Sequence, residues 1–443
     1  MVSSQDIIVY VSAGGESTRL YPLTLDLTKG WLDIGNKTPL LLALRYVARQ
    51  ISNLKIYILT QGYANDMFIP FELRDGQPIG NKAKVQYVHF YDPSKKYDQR
   101  TTANGSGEGF INFIESYKVD KNILTMNVDN LANFNLLDML EYHNSKNSIA
   151  TIGVTQWNDE ETISQFGTVR FKNDGKVTEF KEKSPEPASN YINTGIVMFS
   201  PQVIEILKGK SSELVDLGGS VIPYLLKNGY DLYVYGYENS RPIKDWVDFG
   251  TIRAYIETNG KAVLGKYDWF TYDGYEKIGE GILVHKNSVD TVKAAIKKGN
   301  LKLNGNVVIG SNPRFDGFNI LENVVIGHNV IINEAVIKGR EKNEILYPSI
   351  LLDSSGVFGA ILDTTIIGYS SKVFSNGRKS ELKPFSVVGN GIHVSSVLLD
   401  EDVRVASSKY LENIVRAKRY NIVHFDNGLV FFSERNQKYN PFI

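Results

Sequence analysis

The chain has 443 residues, 42% of them hydrophobic, which is enough for two or three domains that each bury a core, and 49 Lys plus Arg balance 49 Asp plus Glu. Balanced charge argues against a nucleic-acid partner, so any anion site must be a local cluster and the partner is expected to be a small molecule. The absence of cysteine excludes disulfides and thiolate metal centres. No apolar run reaches the roughly 18 residues of a membrane span and the start, MVSSQDIIVYV, has no basic head, so a cytoplasmic protein with no membrane partner is expected.

The first element is the apolar run Ile7-Ile8-Val9-Tyr10, a buried strand by its pattern, which empties into the loop VSAGGESTRLYPLTLDLTKGW. Glycines there let the backbone approach a bound group, hydroxyls and amides offer donors, and Arg19 and Lys29 suggest a strongly anionic ligand, phosphate first. Thr38 followed by Pro39 opens a helix with Leu40, Leu41, Leu44, Val47, Ala48 and Ile51 on one face. Short strands at Ile56 to Leu59, Val85 to Tyr91, Ile123 to Val128 and Ile149 to Val154 alternate with helical pieces. That rhythm predicts an α/β layer fold with a mostly parallel sheet. The string TVRFKNDGKVTEF then predicts a hairpin turning at Asn173-Asp174-Gly175.

Residues 262–300 fit neither rhythm, although Val289 to Lys298 reads as a connecting helix. Beyond about residue 300, aliphatic residues recur every six positions, at Ile320, Ile326 and Ile332, at Ile361, Ile367 and Val373, and at Val388 and Val394. Glycine follows at Ile309-Gly310, Ile326-Gly327, Ile367-Gly368 and Val388-Gly389. This resembles the hexapeptide repeat of left-handed parallel β-helices, in which the aliphatic residue fills the coil and a small residue takes a corner. The stretch KGREKNEILY at Lys338 to Tyr347 breaks the repeat as a loop leaving the coil, and Leu429-Val430-Phe431-Phe432 offers apolar area to a neighbour or to the catalytic domain. The coil is expected to be an assembly surface, making the protein a homo-oligomer.

The opening loop has neither P-loop nor G-x-G-x-x-G spacing. Its string Gly14-Gly15-Glu16-Ser17-Thr18-Arg19-Leu20-Tyr21-Pro22-Leu23-Thr24, then Lys29-Gly30, resembles the signature of sugar-1-phosphate nucleotidylyltransferases, G-G-x-G-T-R-L-x-P-L-T followed by K-P. Ser17 stands for the third glycine and Gly30 for the proline. Thr101-Thr102-Ala103-Asn104 is similar to the family's G-T-A segment, and Asp129 in MNVDN to its metal-binding G-D. Phe166-Gly167 is similar to F-G, and Glu179 to Ser184 to F-x-E-K-P. Asn193 to Phe199 resembles N-x-G-I-Y-x-F, and Trp246 to Thr251 resembles W-x-D-I-G-T. Taken singly, each charged residue here is an ordinary solvated side chain or a turn cap. It is their order along the chain that reverses the reading.

The resemblance, closest to ADP-glucose pyrophosphorylases, implies a Rossmann-like catalytic domain over 1–262, a linker over 263–300 and a left-handed β-helix over 301–443. It implies that Arg19 and Lys29 hold a nucleoside triphosphate as catalytic residues, with Ala13, Gly14, Gly15, Thr102 and Ala103 along the nucleotide. Gly167, Glu182, Lys183, Asn193 and Gly195 would take the sugar-1-phosphate, and Asp129 and Asp248 would hold Mg²⁺. The reaction so implied is nucleoside triphosphate plus sugar-1-phosphate giving nucleotide sugar and pyrophosphate; the strings look most like glucose-1-phosphate enzymes, though mannose-1-phosphate guanylyltransferases share this plan. One alternative is a catalytically silent regulatory or scaffold subunit of the same architecture. Another is a second, acetyl-transferring activity in the coil, for which His328 or His393 would have to serve as base.

Overall fold

The computed structural model describes residues 6–13, 15, 17–59, 81–88, 105–238, 241–417, 419–426 and 428–434. The chain divides into two compact units: Met1–Gly15 with Pro39–Asp248, and Glu16–Thr38 with Phe249–Ile443. Packing therefore assigns most of the opening loop, and the residues from Phe249 onward, to the second unit.

In the first unit the strands are β1 (Ile7–Ser12), β2 (Lys55–Leu59), β3 (Lys84–Val88), β4 (Asn122–Asn127), β5 (Asn130–Asn133), β6 (Ala150–Gln156), β7 (Gly167–Phe171), β8 (Val177–Glu182), β9 (Tyr191–Phe199), β10 (Leu232–Tyr235) and β11 (Lys244–Asp248). The main sheet runs β10-β6-β9-β4-β1-β2-β3, with β7 and β8 added beside β9. Only β9 opposes its neighbours β4 and β6 along that path, so the sheet is mixed and mostly parallel, as expected. Every residue of β1 is buried, which is why its sequence is a continuous apolar run rather than an alternating one. The helix Ser106–Tyr117 lays Phe110, Ile111, Phe113 and Ile114 into the core with Tyr10, whose ring stacks 4.8 Å from that of Phe113. The expected hairpin forms between β7 and β8, with Gly175 at φ +85° in its turn.

The second unit is a parallel β-helix with three ladders of short strands. Leu321, Ile337, Leu362, Leu382 and Leu399 stack in register on one face. Ile326, Leu351, Ile367, Val388 and Val405 do so on the second, and Phe315, Ile332, Val357, Val373 and Val394 on the third. All belong to one buried cluster. Ile320 and Ile361, expected to point inward, are half-buried, and Leu321 and Leu362 beside them fill the coil instead. Successive inward positions thus fall five or six residues apart, because the corners differ in length, except from Ile337 to Leu351 and from Val373 to Leu382, where the chain leaves the coil between them. The glycines do sit where a side chain has no room: a β-carbon on Gly310 would stand 2.5 Å from the Gly327 carbonyl oxygen, and one on Gly368 2.6 Å from Asn390 Oδ1.

Residues expected to act as a linker are ordered parts of this unit. Tyr275–Gly279 and Ile282–His285 form a hairpin whose second strand pairs in parallel with the coil, Ile282 opposite Val307, and the helix Val289–Lys297 follows as expected. The break at Lys338 to Tyr347 leaves the coil as a hairpin, Arg340–Lys342 paired with Ile345–Tyr347. Leu429–Glu434 pairs antiparallel with Arg404–Ser407 and buries Val430 and Phe432 against Tyr21, Ile414 and Tyr420, so this apolar string closes the open edge of the coil. Among the described residues, no helix is long and apolar enough to cross a membrane.

Candidate functional site

Strand order reverses between β1 and β4: β2 and β3 continue from β1 on one side, while β4 begins the other. Open α/β sheets bind ligands at the carboxyl ends of the strands flanking such a switch point. Ser12 and Asn127 end the two strands in register, and the Val128 amide donates to the Ser12 carbonyl at 3.1 Å. Ala13 and Asp129 therefore leave the sheet side by side. Ala13 is buried and its amide donates to the Leu59 carbonyl at 2.9 Å; Gly15 follows at φ +120°, a conformation closed to other residues. Gly14, Glu16, Thr101, Thr102, Ala103 and Asn104 lie outside the described residues.

Asp129 is buried, and the next residue, Asn130, stands opposite Asp248 in the antiparallel pair of β5 with β11. Of the two expected metal ligands, Asp129 thus immediately precedes the residue that pairs with Asp248. Among the described residues, no group of three or more metal-ligating side chains occurs. Two carboxylates with room left for phosphate oxygens and water suit a hard divalent cation such as magnesium, so the donor set fits that ion.

Asn130 also ties this edge to the residues expected at the sugar. Its side-chain amide donates to the Thr194 carbonyl at 2.5 Å, and the indole N–H of Trp246 donates to the same oxygen at 2.9 Å. Gly195 follows at φ +74° with its amide donating to Asn193 Oδ1 at 3.0 Å, and a β-carbon there would lie 2.0 Å from Asn130 Nδ2. Gly167 pairs with Glu182 across β7 and β8, and a β-carbon on either Gly167 or Gly218 would stand 2.5 or 2.7 Å from Glu182 Oε2. The two glycines make the space this carboxylate occupies. Burial raises the Glu182 carboxyl above its ordinary range, Lys183 opposes the shift, and Asp216 adds to it. Lys183 itself is exposed, 3.5 Å from Glu182 Oε1, with φ +46°. Phe166, Trp157 and Trp246 pack edge to face, with centroids 5.1 to 5.8 Å apart.

Arg19 and Lys29 belong to the second unit. Arg19 lies in the single turn Thr18–Leu20 and Lys29 opens the turn Lys29–Trp31. The β-helix holds this segment by its backbone. The Asn390 amide donates to the Leu23 carbonyl at 2.9 Å, the Tyr369 hydroxyl to the Trp31 carbonyl at 3.1 Å, and the Asn36 amide to the Ile326 carbonyl at 2.7 Å. Burial first, and then the carboxylate of Asp353, push the Asp33 carboxyl well above the ordinary carboxylate range, against hydrogen bonds from Thr38 and Tyr369.

Ser17 sits at φ +46°, ψ 42°, the left-handed conformation that glycine takes without strain. Ser17→Gly is accordingly expected to stabilise the protein by up to about 1 kcal/mol, less the added freedom of the unfolded chain. A lower thermal midpoint for the variant would reject this account.

Four contributors were not foreseen: Asn130, Trp157, the Asp216 to Gly219 turn and Arg404. Asp216 caps that turn by accepting from the Gly219 amide at 2.6 Å, and the Gly218-Gly219 pair was a legible sign of close approach. For His328, Nδ1 accepts from the Ser311 amide at 2.8 Å, so that nitrogen is engaged between coils, and His393 is exposed.

A mixed α/β sheet with carboxylates at its switch point belongs to the nucleotide-handling class of folds. Residues 9–263, more than half of the chain, match the family described as nucleotidyl transferase, and the chain belongs to that family. It is 28% identical over 366 residues to a glucose-1-phosphate adenylyltransferase of Clostridium novyi (strain NT), covering 80% of this chain and 84% of that protein. A glucose-1-phosphate adenylyltransferase of Lachnospira eligens is 30% identical over 271 residues, 58% of this chain and 59% of that protein. A UTP--glucose-1-phosphate uridylyltransferase of Synechocystis sp. is 27% identical over 333 residues, 74% of this chain and 80% of that protein.

Proposed function

We propose that the protein joins a nucleoside triphosphate to glucose-1-phosphate, forming a nucleotide sugar and releasing pyrophosphate. The observation that carries this reading is Asp129, just beyond the end of β4 at the switch point of a nucleotidyl transferase sheet and next to the residue that pairs with Asp248. The glucose assignment follows the names of the adenylyl and uridylyl relatives.

The chemistry brings two anions together, so charge must be neutralised before a sugar-phosphate oxygen approaches the α-phosphorus in line. In this reading Arg19 and Lys29 hold the triphosphate, Ala13 and Gly15 serve the nucleotide, and Lys183 pairs with the incoming phosphate. Glu182, in its glycine-walled space, accepts from sugar hydroxyls beside Asn193 and Gly195. Asp129 and Asp248 would hold magnesium, which would supply positive charge to offset that developing on the phosphates and the departing pyrophosphate. The catalytic role is assigned to residues 1–262, with 263–300 linking them to 301–443, and the coil is assigned homo-oligomer contacts. A cytoplasmic setting follows from the nucleoside triphosphate supply.

A panel of nucleoside triphosphates against glucose-1-phosphate, mannose-1-phosphate and N-acetylglucosamine-1-phosphate, read by pyrophosphate release, tests the proposal. Turnover is expected with glucose-1-phosphate and one preferred nucleotide. Silence with every pair would leave the regulatory-subunit reading in its place. Light scattering on the same sample checks the assembly, and a monomer would reject it.

A further inference from the structure

We propose that Arg404, on the last coil of the β-helix, is a positioning residue for the nucleotide reaction, acting through the backbone of Arg19. The inference rests on the reading of Arg19 as a triphosphate contact. Arg404 is 3% exposed, and its Nη1 donates to the Arg19 carbonyl at 3.2 Å, the Tyr21 carbonyl at 2.9 Å and the Tyr420 hydroxyl oxygen at 2.7 Å. The Tyr420 hydroxyl in turn donates to the Thr18 carbonyl. One guanidinium and one phenol thus hold carbonyls at 18, 19 and 21. Between them lies a turn of only three residues, Thr18–Leu20, whose own hydrogen bonds are few. Holding the carbonyl of Arg19 fixes its peptide plane, and with it the direction in which its side chain leaves the chain.

Stability gives a weak reason for a cation here. Arg404 Nη2 donates to Glu434 Oε1 at 2.9 Å, but Nε has no partner among the described residues, and the neighbours Val403 and Val405 are buried aliphatics. Burying a guanidinium costs desolvation that an apolar side chain of similar length avoids. What an apolar residue lacks is a fork of donors aimed at successive carbonyls. The arrangement therefore serves placement of the turn.

The test uses the full chain with Arg404→Met, Arg404→Lys and Tyr420→Phe, each in the parent and in an Arg19→Ala background. Misplacement of a substrate contact by about 1 Å costs up to about 100-fold. Arg404→Met is expected to raise the nucleoside triphosphate KM about 10-fold or more while the sugar-phosphate KM stays within about 2-fold, with Arg404→Lys between it and the parent. Tyr420→Phe, which keeps the ring, shifts the same constant less and tests the link even if Arg404→Met fails to fold. In the Arg19→Ala background Arg404→Met adds less than about 2-fold, because the group it positions is already gone. A purely structural role predicts equal effects on both substrates that multiply in the double variant, and that result overturns the proposal. A parent active with nucleotide while Arg404→Lys and Tyr420→Phe keep its KM overturns the positioning role alone; a parent that turns over no nucleotide removes the functional reading beneath it.

Discussion

Asp129→Asn and Asp248→Asn are each expected to slow magnesium-dependent pyrophosphate release by about 10²- to 10³-fold, the usual cost of losing one contact to developing transition-state charge. The change keeps shape and an oxygen ligand but removes the charge that lets a hard cation compete with water. Asp129 is buried and immediately precedes Asn130, which pairs with Asp248 across β5 and β11. Two carboxylates that share a cation site repel each other when the cation is absent. Either variant should therefore melt no lower than the parent in the absence of magnesium. Turnover within a few-fold of the parent in both variants would show that the pair holds no catalytic metal.

Gly260→Ala is expected to destabilise the protein, against the ordinary sign for a helix. In an exposed helix interior the same change adds roughly 0.5–1 kcal/mol. Gly260 lies in the helix Ile252–Val263, where a β-carbon would stand 1.9 Å from the Leu346 carbonyl oxygen and 2.8 Å from its carbon. Those are backbone atoms of the hairpin that leaves the coil, so relief requires moving the hairpin off the helix. Overpacking of this kind costs about 1–3 kcal/mol and exceeds the propensity gain. The helix also carries Tyr255, which donates to the Asp33 carbonyl at 2.5 Å, and Asn259, which accepts from the Gly35 amide at 2.8 Å. Turnover should fall along with the thermal midpoint. A midpoint equal to or above the parent's would refute the packing argument.

Much of this architecture was readable because its causes are local. The continuous apolar run of β1, the Thr38-Pro39 helix start and the Asn173-Asp174-Gly175 turn each depend on a few adjacent residues, and all three form. The coil was recognisable from its period. Which of two neighbouring aliphatic residues points inward was not, since that depends on corner length, and Leu321 rather than Ile320 took the place. Asn130 escaped notice because its partner, the Thr194 carbonyl, is 64 residues away and carries no side-chain signature. The allegiance of residues 16–38 was hidden for the same reason. Their signature describes what they would hold, whereas the groups that hold them are single side chains of the coil.

That allegiance sets an order of events during synthesis. Thr18 leaves the ribosome well before Tyr420, whose phenol donates to its carbonyl from 402 residues further on. At about 5–20 residues per second, the segment waits about 20–80 s for Tyr420, while the strands on either side of it can already pair. The first unit can thus begin to fold before residues 17–38 meet the groups that hold them. A nascent chain stalled before Arg404 would leave the turn Thr18–Leu20 without the groups that hold it, so on the proposed reading competence for nucleotide is expected only with the last coil.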